Sequence, residues 1–272
     1  MIPRAHITAW RGHAPWATDA LVEQDLVLSR AIVSIFVDPG LRISVAFRGG
    51  TALHKLFLPS PARYSEDIDL VQLDAGSIGS VFSALRAVLD PWLGEPKRQL
   101  GPDGATLIYR GTSTVPPVQP LRIKIEINTR EHASVLGVER RPFSVDSPWF
   151  AGQAEVATYR VEELLATKLR ALYQRKKGRD LFDLWLALTA LGVDDARLVD
   201  CFERYIAASD GRVSRAQFEA NLHTKLASPA FLGDVVPLIA PGVGYDPQAA
   251  GALVFERLIA RLPGAPWKGL IK

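Results

Sequence analysis

Seven consecutive residues alternate without a break: Arg122, Ile123, Lys124, Ile125, Glu126, Ile127 and Asn128. A period of two fits a strand with one buried face and fits no helix. Three β-branched isoleucines strengthen that preference. The segment therefore predicts a half-buried strand. Ile123, Ile125 and Ile127 turn to a core, and Arg122, Lys124, Glu126 and Asn128 turn away from it.

Asp67-Ile68-Asp69-Leu70 has the same rhythm and leads into a strand over 68–73. On it Asp67 and Asp69 point one way, while Ile68 and Leu70 point into the core. Two parallel carboxylates can hold a hard divalent cation through oxygen. Standing alone, the pair reads first as an exposed edge with two solvated acids. Placed beside the 122–128 strand, it gains Glu126 as a third carboxylate. Three acids on neighbouring strands suit a pair of Mg²⁺ ions, one activating an attacking oxygen and one clamping a triphosphate and its leaving group. The other reading of Glu126 is a solvated partner of Lys124 or Arg122.

Just upstream, Phe47-Arg48-Gly49-Gly50-Thr51-Ala52-Leu53 runs strand, turn, helix. Gly49 and Gly50 permit close backbone approach and unusual φ angles. The helix start offers free N–H groups to a phosphate, and Thr51 can add its hydroxyl. The plain alternative is a turn with an N-capping threonine. Lys55, one helical turn on, either reaches a phosphate or is solvated. The segment is neither a P-loop nor a dinucleotide fingerprint.

Elsewhere, residues 18–37 read as an amphipathic helix stopped at Pro39-Gly40, and 77–90 as a helix ended by Pro91. Further strand-like segments lie near 96–100 and 105–111, and residues 115–120 form a turn or loop. From about residue 158 helical periodicity takes over, at 160–175, 179–191, 194–208, 214–226 and 248–261, with a Pro- and Gly-rich loop at 227–247. The expected organisation is an α/β domain over 1–150 and a helical domain over 151–272.

The helical part opens with a basic run. Lys168, Arg175 and Arg179 share one face if the helix is continuous, and Gly178 is the point where it would break. Leu165, Leu169 and Leu172 supply the core side. Such a cationic face, opposite three carboxylates, would hold a triphosphate between itself and the metals. Asp180 would orient a basic side chain or bind substrate. A solvated charged helix is the alternative. Asp183 and Trp185 read as structural.

Composition sets outer bounds. With 272 residues, 48% of them hydrophobic and 22% charged, the chain can bury a sizeable core. A net charge of +3 permits a polyanionic partner without demanding one. The lone Cys201 excludes a disulfide framework and a Cys-rich zinc site. No Gly-x-Ser-x-Gly elbow is present, which argues against a serine hydrolase. No apolar leader or membrane-length apolar run is visible, so a cytoplasmic protein without a membrane span is expected.

Taken in order, Phe47–Leu53, Arg63-Tyr64-Ser65-Glu66-Asp67-Ile68-Asp69-Leu70, Lys124–Asn128, Lys168, Arg175 and Arg179-Asp180-Leu181-Phe182-Asp183-Leu184 resemble the motifs of the AbiEii/AbiGii toxin nucleotidyltransferases. These belong to the DNA polymerase β-like nucleotidyltransferase superfamily. The matching blocks span roughly 47–185. Thr51 stands where the wider superfamily has serine, and the loop from Thr51 to Asp67 is long for it. The resemblance implies an α/β nucleotidyltransferase core with a mixed sheet and an added helical domain. It implies a toxin of a type IV toxin–antitoxin or abortive-infection pair, with an antitoxin encoded nearby. The site would comprise Asp67, Asp69 and Glu126 on Mg²⁺, Gly49, Gly50 and Thr51 on the phosphates of an NTP, Lys168, Arg175 and Arg179 on the triphosphate, and Asp180 in support. Some relatives modify the 3′ end of tRNA, and others are linked only to nucleotide binding. Transfer to a tRNA end is the leading expectation; a protein or small-molecule acceptor, or a non-catalytic nucleotide-binding module, are the alternatives.

Overall fold

The alternating segment is a strand whose isoleucines are at most 3% exposed, as its period requires. It sits in a computed structural model that describes residues 2–101, 104–209 and 211–269. The chain divides after Tyr159 into two units.

The first unit runs α1 (Arg4–Trp10), α2 (Asp19–Val37), α3 (Leu41–Ser44), β1 (Val45–Arg48), α4 (Gly49–Leu56), β2 (Asp67–Gln72), α5 (Ile78–Leu93), β3 (Lys97–Gly101), β4 (Gly104–Thr112), β5 (Pro120–Asn128), β6 (Val138–Asp146) and β7 (Ala151–Tyr159). The strands form one mixed seven-stranded sheet in the order β3-β4-β5-β2-β1-β7-β6. β2 runs parallel to β5 and antiparallel to β1, and β7 runs parallel to β1.

α2 starts where Thr18 accepts a hydrogen bond from the Leu21 N–H, a cap of the expected kind. Its Leu28, Ile32, Ile35 and Phe36 pack with Val81, Leu85 and Leu89 of α5 against Phe47, Ile68, Leu70, Ile123, Ile125 and Ile127 of the sheet. α2 also carries buried acids, each fully used. Glu23 accepts from the Thr114 N–H at 2.8 Å and the Thr114 hydroxyl at 2.7 Å. Asp25, 1% exposed, accepts from Trp10 Nε1, Trp16 Nε1 and Lys55 Nζ. Lys55 is thus neither solvated nor free for a phosphate.

Two readings of this unit change. α5 passes through Pro91 and ends at Gly94, whose φ is 82°. Proline removes one hydrogen bond, but this near the end the last turn continues. The strands β6 and β7 extend the sheet past residue 150. Thr158 lies in register with Phe47 and its hydroxyl donates to the Phe47 carbonyl at 2.6 Å, so the boundary falls nine residues later than composition suggested, at 159 against 150. Along β6 exposed positions alternate with partly buried ones, and β7 ends in four buried residues, but the inner face of β6 includes Glu139 and Arg141, so its hydropathy does not alternate as a half-buried strand's usually does.

The second unit contains α6 (Val161–Gln174), α7 (Gly178–Ala190), α8 (Asp195–Ala207), α9 (Arg215–Leu226), α10 (Pro229–Gly233) and α11 (Pro247–Arg257), with 3₁₀ turns at Val236–Leu238 and Ile259–Arg261. The expected loop at 227–247 therefore holds α10 and a 3₁₀ turn. The basic run is not one helix. Arg175 is extended, with φ −126° and ψ 163°, and α7 begins at Gly178. Gly178 is required there because a Cβ would stand 2.1 Å from the Phe231 carbonyl oxygen.

The break lets α6 and α7 exchange charge. Lys168 Nζ lies 3.3 Å from Asp180 Oδ1 and 2.9 Å from Asp183 Oδ2. Arg175 grips Asp180 with two hydrogen bonds of 2.7 and 2.8 Å. Both aspartates are 0% exposed. Burial alone would raise the Asp180 carboxyl, but Lys168 and Arg175 outweigh it and hold it below the usual range. The Lys225 ammonium closes the end of α6 by donating to the Leu172 and Tyr173 carbonyls, acceptors that the helix leaves unpaired. Burial, opposed by Asp180 and aided by Lys176, pushes the Lys225 ammonium down to about 8.

Removing one partner of a buried ion pair strands the other. Asp180→Ala is therefore expected to cost about 3–5 kcal/mol, read as the denaturation midpoint of the helical unit at pH 7. A carboxylate with a lowered folded pKa contributes fully above its unfolded value and loses that contribution as the pH falls through its folded one. The penalty is thus full above about pH 5 and shrinks as the pH falls below roughly 4.

Candidate active site

β2 hydrogen-bonds to β1 on one edge and β5 on the other, and the two registers assemble the site. Asp69 is paired with Arg48 of β1 and with Glu126 of β5. Glu126 is paired in turn with Thr106 of β4, and Thr106 with Gln99 of β3. Paired residues of neighbouring strands share a sheet face, so Arg48, Asp69, Glu126, Thr106 and Gln99 form one row across five strands. They line an open cavity of about 500 Å³ with Gly101, Gly104 and Asn128. The next row brings Asp67 beside Lys124.

The glycine turn is fitted to Asp69. Gly49 has a φ of 80°, and a Cβ built on it would lie 2.0 Å from Asp69 Oδ2 and 2.8 Å from its Cγ. The carboxylate therefore rests directly against the start of α4, where free N–H groups and the helix dipole favour negative charge. Gly50 is buried inside α4. Thr51 is 1% exposed, and its hydroxyl donates to the Asp67 carbonyl at 2.6 Å and meets the Ser65 hydroxyl at 2.7 Å. It latches α4 to β2 and does not face the cavity. Its methyl and hydroxyl are both enclosed, which gives threonine a role at this position.

Asp67 is half-buried, and its Oδ1 is buried with no hydrogen-bond partner among the described residues. Burial pushes its carboxyl up to about 6, with Asp69, Glu126 and Glu66 adding to the rise and Lys124 opposing it. An acceptor oxygen kept without a donor is costly, and acids kept close together repel. Such strain collects at functional sites. Glu126 meets both readings at once: it is in register with Asp69, and its Oε2 lies 2.8 Å from Lys124 Nζ.

The structure thus brings Gly49, Asp67, Asp69 and Glu126 together in the first unit. Lys168, Arg175 and Asp180 lie in the second unit, where the half-exposed Arg175 and the buried Lys168 both pair with Asp180. The Arg179 backbone N–H bonds to Asp234 Oδ2 at 3.3 Å. Arg48 is a site residue to which its sequence position alone assigned no role. It lines the cavity and its guanidinium pairs with Glu131 Oε2 at 2.8 Å. Its one signal was its place between a strand and Gly49.

Hard oxygen donors suit Mg²⁺, and the partnerless Asp67 oxygen beside Asp69 fits such an ion. Among the described residues, no group of three or more His, Cys, Asp or Glu side chains is arranged to hold a metal; Asp69 and Glu126 line the cavity, and Asp67 stands one row away.

A mixed sheet with paired aspartates on a central strand, opposite a Gly-Gly turn that opens a helix, defines a nucleotidyltransferase core. The chain belongs to the nucleotidyl transferase AbiEii toxin family of type IV toxin–antitoxin systems, whose profile matches residues 30–241. It is similar in fold to MenT4, the nucleotidyltransferase toxin Rv2826c of Mycobacterium tuberculosis H37Rv, with a TM-score of 0.70 at 19% identity over 97% of this chain and 91% of that one. It is also similar to JHP933 of Helicobacter pylori, with a TM-score of 0.51 at 17% identity over 90% and 93% of the two chains. A putative nucleotidyltransferase of H. pylori gives 0.51 at 18% identity over 89% and 95%. A comparison with curated protein sequences returns no match. No helix among the described residues is long and apolar enough to cross a membrane.

Two outcomes are expected. Gly49→Ala drives Asp69 out of place while leaving the fold intact by circular dichroism. A displacement of about 1 Å at a reacting centre costs roughly a hundredfold in initial rate of nucleotidyl transfer. Asp67→Asn removes a charge that the folded state disfavours. A raised folded pKa means that stability falls as pH rises from about 4 to 6 and stays lower above. Asp67→Asn should therefore melt about 2–4 °C above wild type at pH 7.5 without divalent ions, the shift expected of roughly 1 kcal/mol, and the gain should vanish near pH 4.

Proposed function

We propose that this toxin transfers a nucleotidyl group from an NTP to the 3′ end of an RNA, with tRNA as the leading acceptor, and so blocks growth. The observation that carries the reading is the seat of Asp69: against Gly49, in register with Glu126, at the edge of an open cavity. Asp67 and Asp69 would hold Mg²⁺, with Glu126 as a third carboxylate. When bound, the ion supplies neutralisation of phosphate charge and activation of the attacking oxygen.

The chain's own groups do the rest. The start of α4 with Gly49 and Gly50 offers backbone N–H groups to phosphate oxygens. Arg48 places a cation at the cavity wall. The acceptor hydroxyl oxygen bonds to the α-phosphorus, the α–β phosphoanhydride bond breaks, pyrophosphate leaves and the hydroxyl proton passes to water. In the second unit Lys168 and Arg175 are engaged by Asp180 and Asp183. An RNA acceptor is supported by the site face itself. Lys97, Arg110, Arg122 and Lys124 occupy rows adjoining the acids, where phosphates of a polyanion can be held.

The test is incubation of purified protein with Mg²⁺, each labelled NTP and total RNA. Label is expected on RNA, in the tRNA size range. Asp69→Asn should lower its rate by at least about a thousandfold, the scale of lost charge stabilisation at a reacting centre. Label on protein instead would transfer the proposal to a protein acceptor. No label on any acceptor would defeat the reading.

A further inference from the structure

We propose that Lys124 is a tethered cation that holds Glu126 out of the metal site until a divalent ion displaces it. The inference rests on the metal reading of Asp67 and Asp69 given above.

Lys124 and Glu126 are two residues apart on β5 and share its polar face. The parallel register sets Lys124 beside Asp67 and Glu126 beside Asp69. The Lys124 ammonium is 2.8 Å from Glu126 Oε2, the lysine side chain 23% exposed and the glutamate 43%, and its charge also acts on Asp67. Three carboxylates thus share a face on adjoining strands, and one of them, Glu126, is engaged by Lys124. Glu126 bonds along its own strand, while Asp67 retains a buried oxygen without a partner.

A single positive charge in this place relieves repulsion among the acids. A divalent ion does so more strongly, and the two cations repel each other. Lysine suits the role because its charge sits on a flexible stem and leaves without disturbing the strand. Arginine at 122 is different: it bonds to Glu66 at 3.2 Å and is more exposed, at 48%. The free protein therefore keeps two carboxylates ready and a third in reserve. Recruiting Glu126 requires Lys124 to leave it, and an incoming triphosphate offers the displaced ammonium new partners.

The experiment is calorimetric titration of the full chain with Mn²⁺, without nucleotide. Lys124→Met, with Lys124→Gln as a second neutral variant, is expected to bind Mn²⁺ about tenfold more tightly than wild type, a coupling of ordinary size. Arg122→Met removes the same charge from the same face and should change affinity by less than about threefold, the effect of a screened, exposed charge. Glu126→Gln should alter affinity by less than about twofold in wild type but weaken it by more than about fivefold in the Lys124→Met background, the non-additivity that marks direct coupling. Equal tightening by Arg122→Met, or equal loss from Glu126→Gln in both backgrounds, overturns the role of Lys124 and leaves the metal site standing. Absence of any saturable Mn²⁺ binding that Asp69→Asn removes overturns the metal reading and this inference together.

Discussion

A strand hydrogen-bonded on both edges cannot slip by one residue without turning every side chain to the other face. β2 is such a strand, held by four paired residues of β1 and five of β5. Its apolar residues Ile68 and Leu70 are fixed in the core beside Phe47, Ile125 and Ile127. That burial forces Asp67 and Asp69 onto the opposite face, next to Lys124 and Glu126. The acidic site is thus the reverse side of the hydrophobic core. A change that loosens the core would also blur the geometry of the acids.

The turn before α4 adds the second constraint. Asp69 lies so near Gly49 that a single methyl group would overlap its carboxylate. Thr51 fastens the other end of the contact by bonding to the Asp67 carbonyl and Ser65. α4 is further tied through Lys55 to the buried Asp25, which also gathers Trp10 and Trp16. The helix start and the acids are therefore held by one continuous set of bonds in the first unit. Preorganisation of this kind is what electrostatic catalysis needs, since groups already in place need no reorganisation as charge develops.

The helical unit follows a different logic. Its buried charges Lys168, Asp180 and Asp183 neutralise one another, with Arg175 joining from the surface, so the local sequence pattern of a basic helix does not produce a cationic surface at Lys168. Family membership makes the protein a nucleotidyltransferase toxin of a type IV system, a class that works with an antitoxin and uses a nucleoside triphosphate. The network holds α6 to α7.

Much of this was legible in the chain itself. The alternation of 122–128 and of 67–70 decided that these were strands and which side chains faced away from the core, because a period of two leaves no other choice. Gly49-Gly50 marked a turn, and the apolar period of 18–37 marked α2. The order of these blocks identified the family. Only the tertiary structure decided which strand lay beside β2, because strand order depends on contacts far apart in sequence. It placed Arg48 at the cavity, turned Thr51 inward and gave Lys55 to Asp25. It also added β6 and β7, where polar residues such as Glu139 and Arg141 stand on the partly buried face and hide the period. Sequence supplied the face on which Asp67 and Asp69 stand; the register supplied Glu126 and Lys124 beside them, since only pairing across strands brings distant residues within bonding distance.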